Sequence, residues 1–247
     1  MSDSSMKPIL MTAKRKTRES VAPLHIAIIP DGNRRWAHAN RLNLQMGYNV
    51  GIDKVIDVCI WAKNFGVKTV SIWALSKENI SERTKGEIGL LYRLYGKAAH
   101  SKRILKLLQD NKANVKIIGN MSLLPSKLKD ALRAVERQTQ MYKDLSINLL
   151  VGYGGRDDIA QAVRSLSSEN VKRIDTDTIK SRLMTADVPD VDLIIRTSGE
   201  RRTSGFLPWQ SSYSELYFAK KSWPDFGRDD LKRAIENFNK RQRRFGK

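Results

Sequence analysis

The sequence predicts an α/β fold, a single mostly parallel six-stranded sheet flanked by helices. Three observations carry this. Short β-branched apolar runs alternate with segments of helical period along most of the chain. The runs read as strands covered on both faces, as in a parallel sheet. No internal repeat or low-complexity linker interrupts the order after residue 22. Residues 23–247 therefore read as one domain, and the Ser-, Lys- and Arg-rich residues 1–22 as a mobile basic arm.

The first strand is His25–Ile29, followed by Pro30-Asp31-Gly32-Asn33-Arg34-Arg35-Trp36. Glycine tolerates positive φ, and Asn and Asp cap helices, so Asp31-Gly32-Asn33 reads as a tight turn into a helix over residues 34–39. A strand feeding a helix through such a turn aims backbone N–H groups at one point, which makes an anion site. Arg34 and Arg35 add fixed charge, and Asp31 is placed to hold a hard cation shared with the anion. Residues 40–47 lack a period and read as a loop or short lid. Apolar residues at 48, 52, 55, 56 and 59 predict a helix over 48–65, stopped by Gly66.

Residues 67–75 form the second strand, which ends in Ser76-Lys77-Glu78-Asn79. A long helix is expected over 84–111, with an apolar face running from Ile88 to Leu108. The third strand is 115–119, a polar helix follows at 125–141, and the fourth strand is 145–151. Gly152-Tyr153-Gly154-Gly155-Arg156 leads into a helix over 157–166. Two short polar helices are expected within 170–187. The fifth strand is 191–195, the sixth is Glu215–Phe218, and a closing helix spans 228–243.

The chain has 247 residues, enough for a full core, and a formal net charge of +19. That charge favours a polyanionic partner: nucleic acid, phosphorylated substrates or an anionic membrane surface. No zinc-finger, RNP1-like or helix-turn-helix pattern accompanies it, so nucleic acid is not the expected partner. A basic RNA- or DNA-binding domain remains a rival reading, marked by a steep salt dependence. No apolar run approaches the ~20 residues of a membrane span. Cys59, the single cysteine, lies in a helical apolar pattern and reads as core. A cytoplasmic protein, peripheral at most to a membrane surface, is the expectation.

Several strands end in polar groups: Asp31; Ser76, Glu78 and Asn79; Gly154, Gly155 and Arg156; Arg196, Arg202 and Ser204. In a parallel sheet these ends lie on one side, where ligands sit. Arginines, a hydroxyl, glycines and carboxylates gathered there make a polyphosphate site with a metal. It is not a P-loop or a dinucleotide fingerprint, since neither spacing occurs.

The same motifs resemble one family. His25-Ile26-Ala27-Ile28-Ile29-Pro30-Asp31-Gly32-Asn33-Arg34-Arg35-Trp36-Ala37 is similar to the first signature of the cis-prenyltransferases, the undecaprenyl diphosphate synthase family. Ala74-Leu75-Ser76-Lys77-Glu78-Asn79, Gly152-Tyr153-Gly154-Gly155-Arg156, the run from Ile195 to Gln210, Tyr213-Ser214-Glu215-Leu216-Tyr217-Phe218 and Arg244-Phe245-Gly246 follow in the family's order. The resemblance implies condensation of isopentenyl diphosphate with an allylic prenyl diphosphate, giving a Z double bond and free diphosphate.

By this likeness, Gly32, Asn33, Arg34, Arg35, Trp36 and Arg83 bind the allylic substrate, and Arg83 follows a one-residue insertion. Asp31 and Glu215 hold Mg²⁺. Arg196, Arg202 and Ser204 bind isopentenyl diphosphate, with Arg244 and Gly246 reaching it across a homodimer interface. Ser76, Glu78 and Asn79, with Asn33, belong to substrate binding and a proton relay, and Asp31 to catalysis. The apolar face of 84–111 lines a tunnel for the growing chain, and the product partitions to the membrane. The chain departs from the family at Leu44 and Tyr48, where an arginine and a histidine are usual, and at Leu75, Ile80 and Gly205. Irregular coupling of two allylic diphosphates and a non-catalytic subunit of a heteromeric enzyme are the alternatives.

Overall fold

A computed structural model describes residues 22–169 and 171–241. Six strands form one sheet: β1 (His25–Ile29), β2 (Thr69–Ser76), β3 (Ala113–Ile118), β4 (Leu145–Tyr153), β5 (Leu193–Arg196) and β6 (Glu215–Phe218). Their order is β3-β4-β2-β1-β5-β6, and every neighbouring pair is parallel. From β1 the chain builds outward to β2 on one side and later to β5 on the other. The carboxyl ends around β1 are therefore the switch point, where an open α/β sheet leaves a crevice.

Nine helices cross over the described sheet: α1 (Asn33–Ala39), α2 (Leu44–Asn64), α3 (Lys77–Glu82), α4 (Lys85–Ala99), α5 (Lys102–Asp110), α6 (Ser126–Thr139), α7 (Gly155–Ser168), α8 (Thr176–Arg182) and α9 (Arg228–Lys240). The larger core lies on one face of the sheet and joins Ile26, Ile28, Ile72 and Leu75 to residues of α2, α4, α6 and α9. The smaller core, on the other face, holds Ala27, Ile29, Leu150, Ile194 and Phe206. Alternation along β1 thus feeds both layers, which is why all five of its residues are buried.

Side-chain caps account for most departures from the expected boundaries. The expected loop at 40–47 is helical from Leu44, because Asn43 accepts the N–H of Met46 at 2.9 Å and starts α2 early. The long helix over 84–111 is two: α4 stops at Ala99, and Ser101 caps α5. Ser76 caps the short helix α3, which falls where a polar cluster was expected. One helix, α8, occupies the segment expected to hold two, started by an Asp175–Thr178 capping box. The basic arm, Arg244, Gly246 and the end of the expected closing helix lie outside the described residues. No described helix is long and apolar enough to cross a membrane.

Candidate active site

At the switch point, β1 and β5 end side by side, with Ile29 opposite Arg196. Thr197 locks the two ends together: its Oγ1 accepts the N–H of Asp31 at 2.8 Å and donates to the Asp31 carbonyl at 2.7 Å. Gly32 then turns the chain with φ +102, and a Cβ there would lie 2.7 Å from Ser198 Oγ. Positive φ and this close approach both require glycine. α1 begins at Asn33 without a side-chain cap.

The turn places Asp31 among arginines. Its Oδ2 accepts from Arg196 Nη2 at 2.9 Å and its Oδ1 from Arg35 Nη2 at 3.2 Å. Burial works to raise the Asp31 carboxyl, but the hydrogen bond and charge of Arg196, helped by Arg35, outweigh it and hold Asp31 below the usual carboxylate range. Arg196 is buried; its Nη1 donates to the Arg202 carbonyl and to Ser204 Oγ, both at 2.8 Å. Ser204 is held at φ 52, on the left-handed side, to meet it. Glu200 bridges Arg35 at 3.0 Å and Arg202 at 2.5 Å.

A second group forms across the mouth. Arg83 Nη1 donates to the Tyr48 hydroxyl at 3.0 Å and Nη2 to Asn79 Oδ1 at 3.2 Å. Tyr48 donates to Glu87, which also pairs with Arg83 at 3.1 Å and Arg34 at 3.7 Å. Burial and the bond to Glu87 raise the Tyr48 phenol, so it stays protonated.

These residues line a cavity of about 1140 Å³. Its rim carries Asp31, Gly32, Asn33, Arg34, Arg35, Ser76, Glu78, Asn79, Arg83, Arg156, Arg196, Arg202 and Ser204. Its depth is apolar, walled by Ile52, Val55, Leu91, Ala98, Ile104, Leu108 and Leu132 and reaching Val115 and Ile147. Ile147 pairs with Val70, six residues before Ser76, so the cavity runs about 20 Å down the strands. Three buried polar atoms on lining residues have no protein partner: Asn33 Oδ1, Arg83 Nε and Arg196 Nε. Two of them are guanidinium N–H groups closed to solvent, which find a partner only if the site rearranges around a ligand.

Two expected site residues are not gathered here. Trp36 does not line the cavity; its indole N–H donates to Asp225 at 2.7 Å. Glu215 pairs with Leu193 at the amino end of the sheet, five residues from the level of Asp31. That is about 15 Å along the strand, so one chain does not bring Asp31 and Glu215 to one ion. Glu215 instead binds Arg241 at 2.5 Å. Among the described residues no cluster of three His, Cys, Asp or Glu forms a metal cage. Asp31 alone still fits Mg²⁺, which is commonly held by one or two carboxylates together with substrate phosphates. The sequence reading missed Thr197, Glu87 and Glu200; the i, i+4 spacing of Arg83 and Glu87 was the available signal for one of them.

A polyphosphate rim at the carboxyl edge, opening into a long apolar cavity, defines an enzyme that handles a diphosphate bearing a lipid tail. The model of the family described as putative undecaprenyl diphosphate synthase matches residues 29–246, and the chain belongs to that family, the cis-prenyltransferases. It is 42% identical to a tritrans,polycis-undecaprenyl-diphosphate synthase (geranylgeranyl-diphosphate specific) from Methanopyrus kandleri, over 98% of this chain and 93% of that one. A synthase described as GGDP specific, from Sulfolobus acidocaldarius, is 40% identical over 91% of this chain and 88% of its own. Among solved structures, lavandulyl diphosphate synthase from Lavandula x intermedia, in complex with dimethylallyl diphosphate, superimposes with a TM-score of 0.86 at 35% identity, covering 92% of this chain and 99% of that one.

Proposed function

We propose that this protein condenses isopentenyl diphosphate with an allylic prenyl diphosphate, of which geranylgeranyl diphosphate is the first to test, and repeats the step to build a Z-polyprenyl diphosphate. The observation that carries the reading is the Asp31–Arg196 pair at the mouth of an apolar cavity about 20 Å deep. The named substrate of the relatives supports the starter.

In this reading Arg34, Arg35 and Arg83 bind the allylic diphosphate, and the tail enters the apolar depth. Arg196, Arg202 and Ser204 bind isopentenyl diphosphate. The allylic C1–O bond breaks and its electron pair leaves with the diphosphate. The C3–C4 π electrons of isopentenyl diphosphate form the new bond to C1; loss of a C2 proton forms the new double bond. The arginines stabilise the charge that develops on the leaving oxygens. Mg²⁺, when bound, neutralises diphosphate charge, and Asp31 is the residue that would hold it.

Ser76 Oγ accepts the N–H of Asn79 at 2.9 Å, which leaves its own O–H free to orient toward substrate. Glu78 and Asn33 line the same rim and complete the proton relay. The enzyme works as a homodimer in which Arg244 and Gly246 serve the partner's isopentenyl diphosphate.

The test is a single-protein assay with Mg²⁺, labelled isopentenyl diphosphate and geranylgeranyl diphosphate. Labelled long-chain product supports the proposal; none, with any allylic starter, sinks it and favours a non-catalytic subunit. Leu44 and Tyr48 favour a second reading, irregular coupling of two allylic diphosphates. Condensed product from dimethylallyl diphosphate without isopentenyl diphosphate decides for it.

A further inference from the structure

β2 and β4 pair in step up to Trp73, which lies opposite Leu150, and then slip. Leu75 pairs with Val151, so Ala74 has no counterpart on β4; Ser76 pairs with Tyr153, so Gly152 has none on β2. The two one-residue slips cancel. Between them the side-chain parity of β2 inverts, as an extra residue in a strand requires. Leu75 joins the core on the side of Ile72, and Ser76 emerges at the carboxyl edge as the cap of α3.

Slips free backbone carbonyls, and inside a sheet each needs a donor. The Gly152 carbonyl accepts from Asn120 N–H at 3.2 Å and the Tyr153 carbonyl from Trp73 Nε1 at 3.2 Å. The Ala74 carbonyl accepts from the Tyr95 hydroxyl at 2.5 Å. Tyr95 belongs to α4 and lines the cavity. A wall residue of the lipid cavity thereby holds the backbone that aims the polar rim.

We propose that Tyr95 is a positioning residue for prenyl transfer, fixing the Ala74 slip and through it Ser76 and the start of α3. This rests on the function proposed above. Tyr95→Phe deletes only the hydroxyl. Tyr92→Phe is its matched control, because Tyr92, also on α4, donates to the Leu123 carbonyl at 3.1 Å and to no carbonyl of the slip.

Tyr95→Phe should lower kcat about tenfold with KM for isopentenyl diphosphate changed less than about twofold, while Tyr92→Phe leaves kcat within about twofold. In a Ser76→Ala background Tyr95→Phe should add less than about twofold, since it acts through Ser76. Amides 75–79 should exchange faster in Tyr95→Phe than in Tyr92→Phe. Trp73→Phe, which drops the donor to Tyr153, carries the same test should Tyr95→Phe fail to fold. Equal kcat in the two tyrosine variants, or losses that multiply with Ser76→Ala, overturns the proposal. If the wild-type protein transfers no prenyl group, the functional reading fails, and unchanged exchange at 75–79 then refutes the structural half too.

Discussion

Asp31 and Arg196 meet across the ends of adjacent strands, Oδ2 to Nη2 at 2.9 Å, with the arginine nearly closed to solvent and the carboxylate about a quarter exposed. The pair does two jobs. It neutralises a buried guanidinium, and it presents an ionised carboxylate where a metal-bound diphosphate is expected. Asp31→Asn keeps a hydrogen-bond acceptor and should lose turnover by more than about a hundredfold with a small change in melting temperature. Asp31→Ala should lose as much activity and also about 1–2 kcal/mol of stability. This is below the usual cost of orphaning a buried ion, because Arg196 keeps Ser204 and the Arg202 carbonyl. Since the Asp31 pKa is depressed, its share of stability is whole above the ordinary value of 3.8 and fades as pH falls through the lower folded value. Turnover assays and thermal melts of both variants check this.

Tyr48 stands between Glu87 and Arg83 at the other side of the mouth. Tyr48→Phe removes a donor from Glu87 and one of three partners from Arg83, whose guanidinium then keeps only Glu87 and Asn79. KM for the allylic diphosphate should rise several-fold while KM for isopentenyl diphosphate stays. Steady-state kinetics with each substrate varied in turn separates the two.

Much of this was legible in the sequence because strand ends are local. His25–Ile29 followed by Asp31-Gly32 reads as a strand and turn without knowledge of its neighbours, and four such ends imply a shared edge. Glu215 was not legible. Its motif is intact, but only the pairing of Leu193 with Glu215 reveals that it begins its strand at the far edge. Thr197 and Glu200 were hidden for a similar reason: their partners, Asp31 and Arg35, are about 165 residues away in sequence.

α4 carries Gly86, Gly89 and Gly96, and a Cβ at Gly86 or Gly96 would meet nothing within 4 Å. At Gly89 it would meet only the flexible end of Arg93, at 3.7 Å. Each glycine weakens the helix by roughly 0.5–1 kcal/mol relative to alanine. Gly89→Ala should therefore raise stability by about that amount, read as a higher urea midpoint at unchanged slope. If the cavity wall must flex to release product, steady-state kcat falls in the same variant while single-turnover rates hold.

The apolar depth sets room for product. Ile147 lies deep in it, buried, lining the cavity and paired with Val70, six residues before Ser76. Ile147→Phe should shorten the longest product without changing KM for either substrate, because the rim is about 20 Å away. Chain-length analysis of labelled products checks it; an unchanged profile means the tail does not reach this floor.

His25 ties pH to stability through the sheet. It is buried, and its Nδ1 faces the carbonyls of Pro189 at 2.9 Å and Asp190 at 3.3 Å, which only accept. Nδ1 therefore carries the proton and Nε2 accepts from Ser71 at 2.8 Å, while Ser71 Oγ accepts from Asn148 Nδ2 at 3.0 Å. A second proton on the ring would turn Nε2 into a donor and aim two donors at Ser71, whose own hydrogen would lose its acceptor. Burial lowers the His25 pKa, outweighing the neighbouring carbonyls and aspartates. The unfolded chain then binds this proton first. Stability is whole above the ordinary value of 6.5 and declines as pH falls below it toward the folded pKa, by at most about 1.4 kcal/mol per pH unit from one group. Urea unfolding between pH 8 and pH 5 should show this slope, and His25→Gln, which removes the titrating ring, should lose it. A midpoint that stays level across that window shows that protonation of His25 costs the fold nothing.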